Sequence, residues 1–267
     1  MLRPLPVLLA TVIASSSLAA QSSAHDAPHA TISLVPELSP ATGHSATGLA
    51  VRFEIDPGWH IYFAHPGQSG IPTRIVWKLP PGVTVDSLRW PVPERLETEG
   101  LVSHVYSGRV VLFTTLHLKR EAGPLVIGAS VTYGACQTQC LEGKAELQLS
   151  LAIGGPALNP EWRGFIPDYR ALPARITGLS ARVVRNGSAL ELRLSPRQAV
   201  PPATGALTFF PFDPAVLDTC VVGSPKVVGD QLVMSLGRPN PGAARLSGIL
   251  AGWAGRALRV DVPIERR

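Results

Sequence analysis

The sequence predicts an all-β protein, a β-sandwich domain followed by a second, smaller β-sandwich domain. Three observations lead to this fold class. Apolar and polar residues alternate with a period of two along most of the chain, as in half-buried antiparallel strands. The 26 prolines and 25 glycines punctuate the alternating runs, where turns are expected. No convincing amphipathic helix is visible, and short strands separated by turns favour a sandwich or a barrel.

The first predicted domain spans residues 28–157. Its runs LAVRFEI, IVWKL and LQLSLAI, at 49–55, 75–79 and 147–153, each place an apolar residue at every second position. We expect strands whose apolar face lies in a core. The alternation weakens after residue 156 and prolines interrupt the chain, so we expect 158–175 to be a linker.

The second predicted domain spans residues 176–265. Asn186-Gly187 lies between two alternating runs and suits a type I′ hairpin turn. Gly229-Asp230 repeats that arrangement, and RALRVDVPI at 256–264 is expected to be the last strand.

The amino terminus has the three-part layout of a secretory signal peptide. Arg3 is followed by an apolar run at 5–13 and by small residues up to about residue 20, so we predict a signal peptide over 1–24. The apolar run is too short to span a bilayer, and no later segment is long and apolar enough to do so. We therefore expect a soluble mature protein in an oxidising compartment, where disulfides persist.

Composition and motifs argue against several function classes. Charged residues make up 16% of the chain and its formal net charge is +5. The basic residues are scattered, with never more than two adjacent, whereas a nucleic-acid surface needs a clustered basic patch. A Ser–His–Asp hydrolase is not indicated, because no nucleophile-elbow motif is present. A nucleotide-binding protein is not indicated either, because no Gly-rich phosphate loop is present.

Two of the three cysteines, Cys136 and Cys140, lie four positions apart. A straight strand holds such residues about 13 Å apart, beyond the roughly 7 Å limit for a disulfide. With 137–139 as a three-residue hairpin loop, the two cysteines face each other at the hairpin mouth. If Val131 and the other odd positions face the core, Cys136 points away from it and is accessible.

The residues alone leave three roles open for this pair. A bridge across so short a loop is a weak staple, and a constrained, exposed disulfide is often exchange-active, so redox exchange and a modest structural bridge are about equally favoured. Two thiolates also suit a soft ion such as Cu(I). A structural zinc site is less favoured, because it requires four ligands. Cys220 is expected to be a buried small hydrophobic residue.

Several tryptophans and histidines of the first predicted domain are expected to have structural roles. Trp59, Trp77 and Trp90 are expected in the core or packed on a sheet. His60 and His65 flank an aromatic strand and a Pro-Gly turn. Either histidine can reach the cysteine pair, but a structural or surface role is the ordinary expectation.

Three segments carry a family resemblance. PGWHIYFAHPGQSGIPTRIVWKLPPGV, LRWPVPERLETEGLVSHVYSGRVVLFTTL and YGACQTQCLEGKAELQLSL closely resemble the amino-terminal periplasmic domain of the disulfide interchange protein DsbD. The likeness is closer still to its relatives in the suppressor-of-copper-sensitivity branch. The resemblance runs from about residue 48 to residue 153, and the second block looks like the additional β domain of that branch.

The resemblance implies an immunoglobulin-like sandwich with a redox-active pair at Cys136 and Cys140. Such a periplasmic domain accepts electrons from a membrane-embedded thiol reductase and passes them to thioredoxin-like periplasmic proteins, without a cofactor or a metal. Family position makes Cys140 the attacking thiol and places a capping loop near 101–106. Family members usually continue into membrane and thioredoxin-like domains. Since this chain stops at Arg267 with neither, we expect a separate membrane electron donor.

Three functions therefore compete. The first is an extracytoplasmic thiol–disulfide relay, hence a protein-disulfide reductase that needs a separate donor. The second is a periplasmic Cu(I)-handling protein of copper tolerance, and the third is a non-catalytic β-sandwich interaction module with a structural bridge. The relay predicts that Cys136 and Cys140 cycle between bridged and reduced forms.

Overall fold

The computed structural model describes residues 21–22, 25–38, 46–118, 125–151, 157–176, 179–196, 207–213, 225–240 and 242–265. In these ranges the chain forms twenty strands and two short helices. The strands are β1 (Gln21–Ser22), β2 (His25–Ala27), β3 (Ala30–Pro36), β4 (Ala46–Ile55), β5 (His60–Gly67), β6 (Arg74–Lys78), β7 (Thr84–Val85), β8 (Glu94–Thr98), β9 (Leu101–Ser107), β10 (Arg109–His117), β11 (Leu125–Cys136), β12 (Cys140–Leu151), β13 (Ala174–Arg175), β14 (Leu179–Asn186), β15 (Ala189–Pro196), β16 (Thr208–Pro211), β17 (Lys226–Val228), β18 (Gln231–Ser235), β19 (Arg245–Trp253) and β20 (Arg256–Glu265), and the helices are α1 (Pro160–Arg163) and α2 (Ile166–Arg170).

Two sheets form a sandwich in the first half of the chain. One sheet has the order β1-β12-β11-β5-β9-β8, with β6 also paired to β11, and the other has the order β2-β3-β4-β10-β7. Side chains from both sheets meet in one core, because each strand alternates between core-facing and outward-facing residues. The bulkiest of its fully buried side chains are Tyr133, Phe53, Phe63, Ile32 and Leu34.

The second block is a single eight-stranded sheet with its own core. Its order is β16-β19-β20-β14-β15-β18-β17, with β13 also paired to β20. The sheet curls, so the block is sandwich-like. The all-β prediction is confirmed.

The predicted strands of the first domain are present. The stretches 49–55, 75–79 and 147–153 fall largely within β4, β6 and β12. In β12, residues alternate strictly between buried and exposed from 143 to 151. The period-two pattern thus located these strands and their core faces correctly.

Both predicted hairpins of the second block are also present. Asn186 pairs with Ala189, so the two-residue turn is centred on Gly187 and residue 188, one position later than predicted. The turn at Gly229-Asp230 lies where the sequence placed it, because Val228 pairs with the residue that follows the turn. Gly187 and Gly229 have φ values of 57° and 62°, the left-handed conformation that such turns require.

The stretch 158–175, predicted as a linker, holds both helices. Asn159 caps α1 by accepting a hydrogen bond from the Glu161 N–H at 3.0 Å. The helices cover the outer face of the five-stranded sheet, where Trp162 and Phe165 pack with Phe113 in a separate buried cluster. With four and five residues, neither helix is long enough to display a helical period.

The second block packs against the first. Phe210 and Ile249 belong to the core of the first sandwich. The ring of Phe212 lies 5.6 Å from that of Phe63, and the ring of Phe210 lies 4.9 Å from that of His104. A shared aromatic contact therefore joins the two blocks beside β5 and β9.

Two predictions lie largely or wholly outside the described residues. Most of the predicted signal peptide, including residues 1–20, lies there, as does Cys220. The strand β1, which falls within 1–24, pairs with residues 149 and 150 of β12.

Among the described residues, no helix has the length and apolar character needed to span a bilayer.

Candidate redox site

The site lies at the tip of the β11–β12 hairpin. Cys136 and Cys140 form the last pair of this antiparallel ladder and are joined by a disulfide, with Cα atoms 4.1 Å apart. Residues 137–139 make the loop, in which the Gln137 N–H donates to the Gln139 carbonyl at 3.1 Å. The expected hairpin mouth is therefore present.

Tyr133 anchors this hairpin from the core side. It pairs with Gly143 across the ladder, and its ring occupies the space that a β-carbon at Gly143 would need. The Tyr133 hydroxyl donates to the Pro28 carbonyl at 2.8 Å. Burial, aided by the charge of Asp56, raises the pKa of Tyr133 to about 12, so this hydroxyl stays protonated and keeps its bond.

The two cysteines differ sharply in exposure. Cys140 is exposed, but Cys136 retains only 2% of its surface. Val131 and its odd-numbered neighbours do face the core, so Cys136 points away from it as expected. The prediction that Cys136 is accessible is nevertheless wrong, because Tyr62 and Val105 bury it in a small cluster of their own.

The cover comes from the β8–β9 hairpin and from β5. Leu96 of β8 packs against the cluster of Val105 and Cys136. The segment 101–106, expected to be a capping loop, is part of strand β9 instead. The reason is a two-residue turn at Glu99-Gly100, with φ values of 53° and 78°, which leaves residues 101 onward paired with β8.

Tyr62 contacts the exposed cysteine. Its hydroxyl oxygen lies 3.8 Å from Cys140 Sγ and donates to it, since a disulfide sulfur has no proton. Burial raises the pKa of Tyr62, which keeps the hydroxyl a donor. Sequence reasoning missed this residue, although the alternation in HIYF shows that Ile61 faces the core and that Tyr62 shares the opposite face with His60.

His60 is the direct cross-strand neighbour of Cys136. The two residues pair between β5 and β11, and His60 also pairs with Ser107 of β9. Side chains of paired residues lie on the same face, with β-carbons about 4.5–5.5 Å apart. Burial lowers the pKa of His60, against a smaller opposing effect of the Glu94 charge. His60 is therefore mainly neutral at pH 7 and able to accept a proton.

A comparison with protein families identifies the domain that contains this hairpin. Residues 36–152 match the family model of the thiol:disulfide interchange protein DsbD, N-terminal. These residues form a DsbD N-terminal-like domain. The predicted resemblance is confirmed. The cysteine pair lies inside the matched region, so the DsbD N-terminal-like domain is a thiol–disulfide interchange domain containing this pair.

One solved structure shows the same fold over most of the chain. The N-terminal periplasmic domain of ScsB from Proteus mirabilis matches with a TM-score of 0.63 and 19% identity, covering 90% of this chain and 95% of its own. The shared fold therefore extends beyond the DsbD N-terminal-like domain into the second block. The reduced DsbD N-terminal domain from Neisseria meningitidis is 23% identical and covers 47% of this chain and 89% of its own, with a TM-score of 0.30. No curated protein matched the chain.

The remaining candidates of the DsbD N-terminal-like domain have structural surroundings. His65 is 4% exposed, accepts from the Gly67 N–H at 3.1 Å and lies near the second block. Trp90 is buried in the core, and Trp59 and Trp77 pack against it, as expected. No group of three or more His, Cys, Asp or Glu side chains within the described ranges is arranged to hold a metal ion.

Proposed function

We propose that this protein is a periplasmic thiol–disulfide relay that passes electrons to protein disulfides through Cys136 and Cys140. The observation that carries the proposal is the unequal pair, in which an exposed Cys140 is bonded to a buried Cys136. An exchange pair needs one sulfur that a partner can reach and a second that resolves the mixed disulfide. The predicted signal peptide and the periplasmic description of the ScsB domain support the location.

Electron transfer begins from the reduced pair. The Cys140 thiolate attacks one sulfur of a partner disulfide, which forms a mixed disulfide and releases the partner's other sulfur as a thiolate. Cys136 then attacks Cys140 Sγ, which closes the internal bridge and releases the partner's second thiolate. Two electrons leave the pair, and the partner becomes a dithiol after taking up two protons.

His60 supplies the proton acceptor for the second step. A thiol buried under Tyr62 and Val105 resists ionisation, because burial disfavours the charged form. The neutral imidazole beside Cys136 takes the thiol proton as the sulfur attacks. It then releases this proton to solvent or to the departing thiolate, so no cofactor is needed.

Reduction of the bridge reverses these steps. A donor thiolate attacks the exposed Cys140 Sγ, Cys136 leaves as a thiolate that is protonated through His60, and the donor's second thiol resolves the mixed disulfide. We propose a membrane-embedded thiol reductase as this donor and thioredoxin-like proteins as acceptors. The interchange activity named for the DsbD family supports partners of this kind, and the ScsB likeness supports a place in the suppressor-of-copper-sensitivity branch.

Electron transfer to an oxidised thioredoxin-like protein tests the proposal. The reduced chain, freed of reductant, is mixed with the oxidised acceptor, quenched in acid, and alkylated so that free thiols are counted by mass. We expect two thiols to disappear from the chain as two appear in the acceptor. The matched control is the double variant Cys136→Ser/Cys140→Ser, which has no thiols in the hairpin and is expected to keep the fold. A chain that stays reduced beside the oxidised acceptor contradicts the relay.

A further inference from the structure

A polar cleft of about 630 Å³ lies between the two blocks, away from the cysteine pair. One wall comes from β10 and the segment after β7, and the other comes from β13, β14 and β20. Its volume falls in the range of small-molecule sites, about 300–1,000 Å³. Three arginines line it, namely Arg89, Arg175 and Arg259.

Two of these arginines are placed side by side. Arg175 of β13 pairs in register with Arg259 of β20 in a parallel ladder. Like charges directly opposite each other on neighbouring strands are destabilising. A negative charge bound in the cleft beside both side chains would therefore relieve their repulsion.

The third arginine lines the wall that the first block contributes, and its backbone is fixed. The Arg89 N–H donates to the Phe113 carbonyl at 2.7 Å, and the Arg89 carbonyl accepts from the Phe113 N–H at 3.1 Å. The Arg89 guanidinium lies 4.7 Å from the ring centre of Tyr169, and the Arg259 guanidinium lies 5.6 Å from that of Phe212. Stacking on a ring orients a guanidinium and leaves its N–H edge free to bind.

The two carboxylates that line the cleft are engaged elsewhere. Asp86 binds His117 at 2.9 Å, and Asp261 accepts two hydrogen bonds from Arg245 at 2.8 and 3.1 Å. Within the part of the chain that the structure describes, none of the three cleft arginines has a carboxylate at ion-pair distance. The cleft therefore presents more positive charge than its own acids neutralise.

We propose that this cleft binds a small anion that carries at least two carboxylate or phosphate groups. Guanidinium groups recognise both of these groups through paired hydrogen bonds. One group lies between Arg175 and Arg259, where it relieves their repulsion, and the other reaches Arg89 across the cleft. The bound anion links the two blocks. This proposal does not depend on the thiol–disulfide relay.

Calorimetric titration of the oxidised full chain tests the site. Sodium pyrophosphate and sodium citrate are titrated separately in about 150 mM NaCl, where a Debye length of about 8 Å screens non-specific attraction. We expect one saturable site for at least one of them. Preference for pyrophosphate identifies a phosphate ligand, and preference for citrate identifies a carboxylate ligand.

Two variants make the test specific. Arg175→Gln/Arg259→Gln is expected to weaken binding roughly tenfold or more, whereas Arg256→Gln, on the same strand but outside the cleft, leaves it unchanged. The proposal fails if neither anion binds saturably or if the double variant binds like the wild type.

Discussion

The β11–β12 and β19–β20 hairpins have the same architecture but different tips. Both are long antiparallel ladders, one in each block. The β19–β20 tip is a two-residue turn at Ala254-Gly255, followed by the exposed Arg256. At the β11–β12 tip, in contrast, β5, β8 and β9 bury one side of the disulfide while Cys140 remains exposed.

The difference shows that the hairpin alone does not make the site. A hairpin tip brings two cysteines together, but the neighbouring strands decide which sulfur meets solvent. Tyr62 and Val105 bury Cys136, and His60 lies beside it. Substitutions at the pair and at its neighbours should therefore change electron transfer more than substitutions elsewhere in the molecule.

Loss of either cysteine should have the largest effect. Cys140→Ser is expected to abolish electron transfer and mixed-disulfide formation, because the remaining thiol is buried. Cys136→Ser is expected to accumulate a mixed disulfide through Cys140, because nothing resolves it. Mass spectrometry of acid-quenched mixtures with an oxidised thioredoxin-like protein measures both outcomes.

Circular dichroism of both variants is the control for folding. Both variants should keep the strand signature of the wild type in circular dichroism, since a bridge over three residues adds little stability. Efficient mixed-disulfide formation by Cys140→Ser, through Cys136, would contradict the assignment of roles.

Removal of the imidazole should slow the resolving step. His60→Gln is expected to lower the rate at which Cys136 releases a bound partner by roughly 10²-fold at pH 7. In the wild type this rate should fall as the pH drops through the lowered pKa of His60, because the protonated ring accepts no proton. Stopped-flow measurement from pH 5 to 8 tests this, with His117→Gln as an exposed control. An unchanged pH profile in His60→Gln would exclude the proton-transfer role.

The aromatic contact between the blocks should be sensitive to acid. His104 Nδ1 donates to the His65 carbonyl at 3.1 Å, and burial lowers the pKa of His104 to about 4. The unfolded chain takes up this proton near pH 6.5 and the folded chain does not, so stability falls as the pH drops from 6.5 to 4. The loss from this group is about 3 kcal/mol.

Urea unfolding of His104→Asn measures that contribution. The variant keeps a side-chain N–H donor but has no titrating ring, so its stability should fall less steeply between pH 6.5 and pH 4. The wild-type and variant curves should therefore converge on acidification. Parallel curves would show that His104 is not the titrating group.

Opening the cover should expose the resolving cysteine. Leu96→Ala is expected to cost about 1 kcal/mol, in keeping with its partial burial, and to speed alkylation of reduced Cys136 several-fold. Leu101→Ala, on the same hairpin but 45% exposed, is the matched control and should change neither quantity. Equal alkylation rates in wild type and Leu96→Ala would mean that the cover does not protect this thiol.

The smallest effect is expected at the other hairpin tip. Ala254 has a φ of 47°, a conformation that costs an L-residue roughly 1 kcal/mol. Ala254→Gly should raise stability by at most about 1 kcal/mol and leave the electron-transfer rate unchanged. A change in that rate would couple the β19–β20 tip to the redox site and contradict the independence of the two hairpins.

The sequence predicted the local features of this molecule better than the long-range ones. The strands and hairpins followed from alternation and turn residues, and the four-residue spacing of Cys136 and Cys140 predicted their pairing at a hairpin mouth. The burial of Cys136 did not follow, because Tyr62 and Val105 reach it from strands far away in the sequence. The two helices were missed because four or five residues do not display a helical period.

The midpoint reduction potential of the Cys136–Cys140 pair is the most direct test of the relay. The protein is equilibrated in glutathione or dithiothreitol buffers, and alkylated thiols are counted by mass. The relay predicts a potential of about −200 to −270 mV, in the range of exchange-active pairs. A bridge that stays closed below about −300 mV, as structural disulfides do, would contradict it.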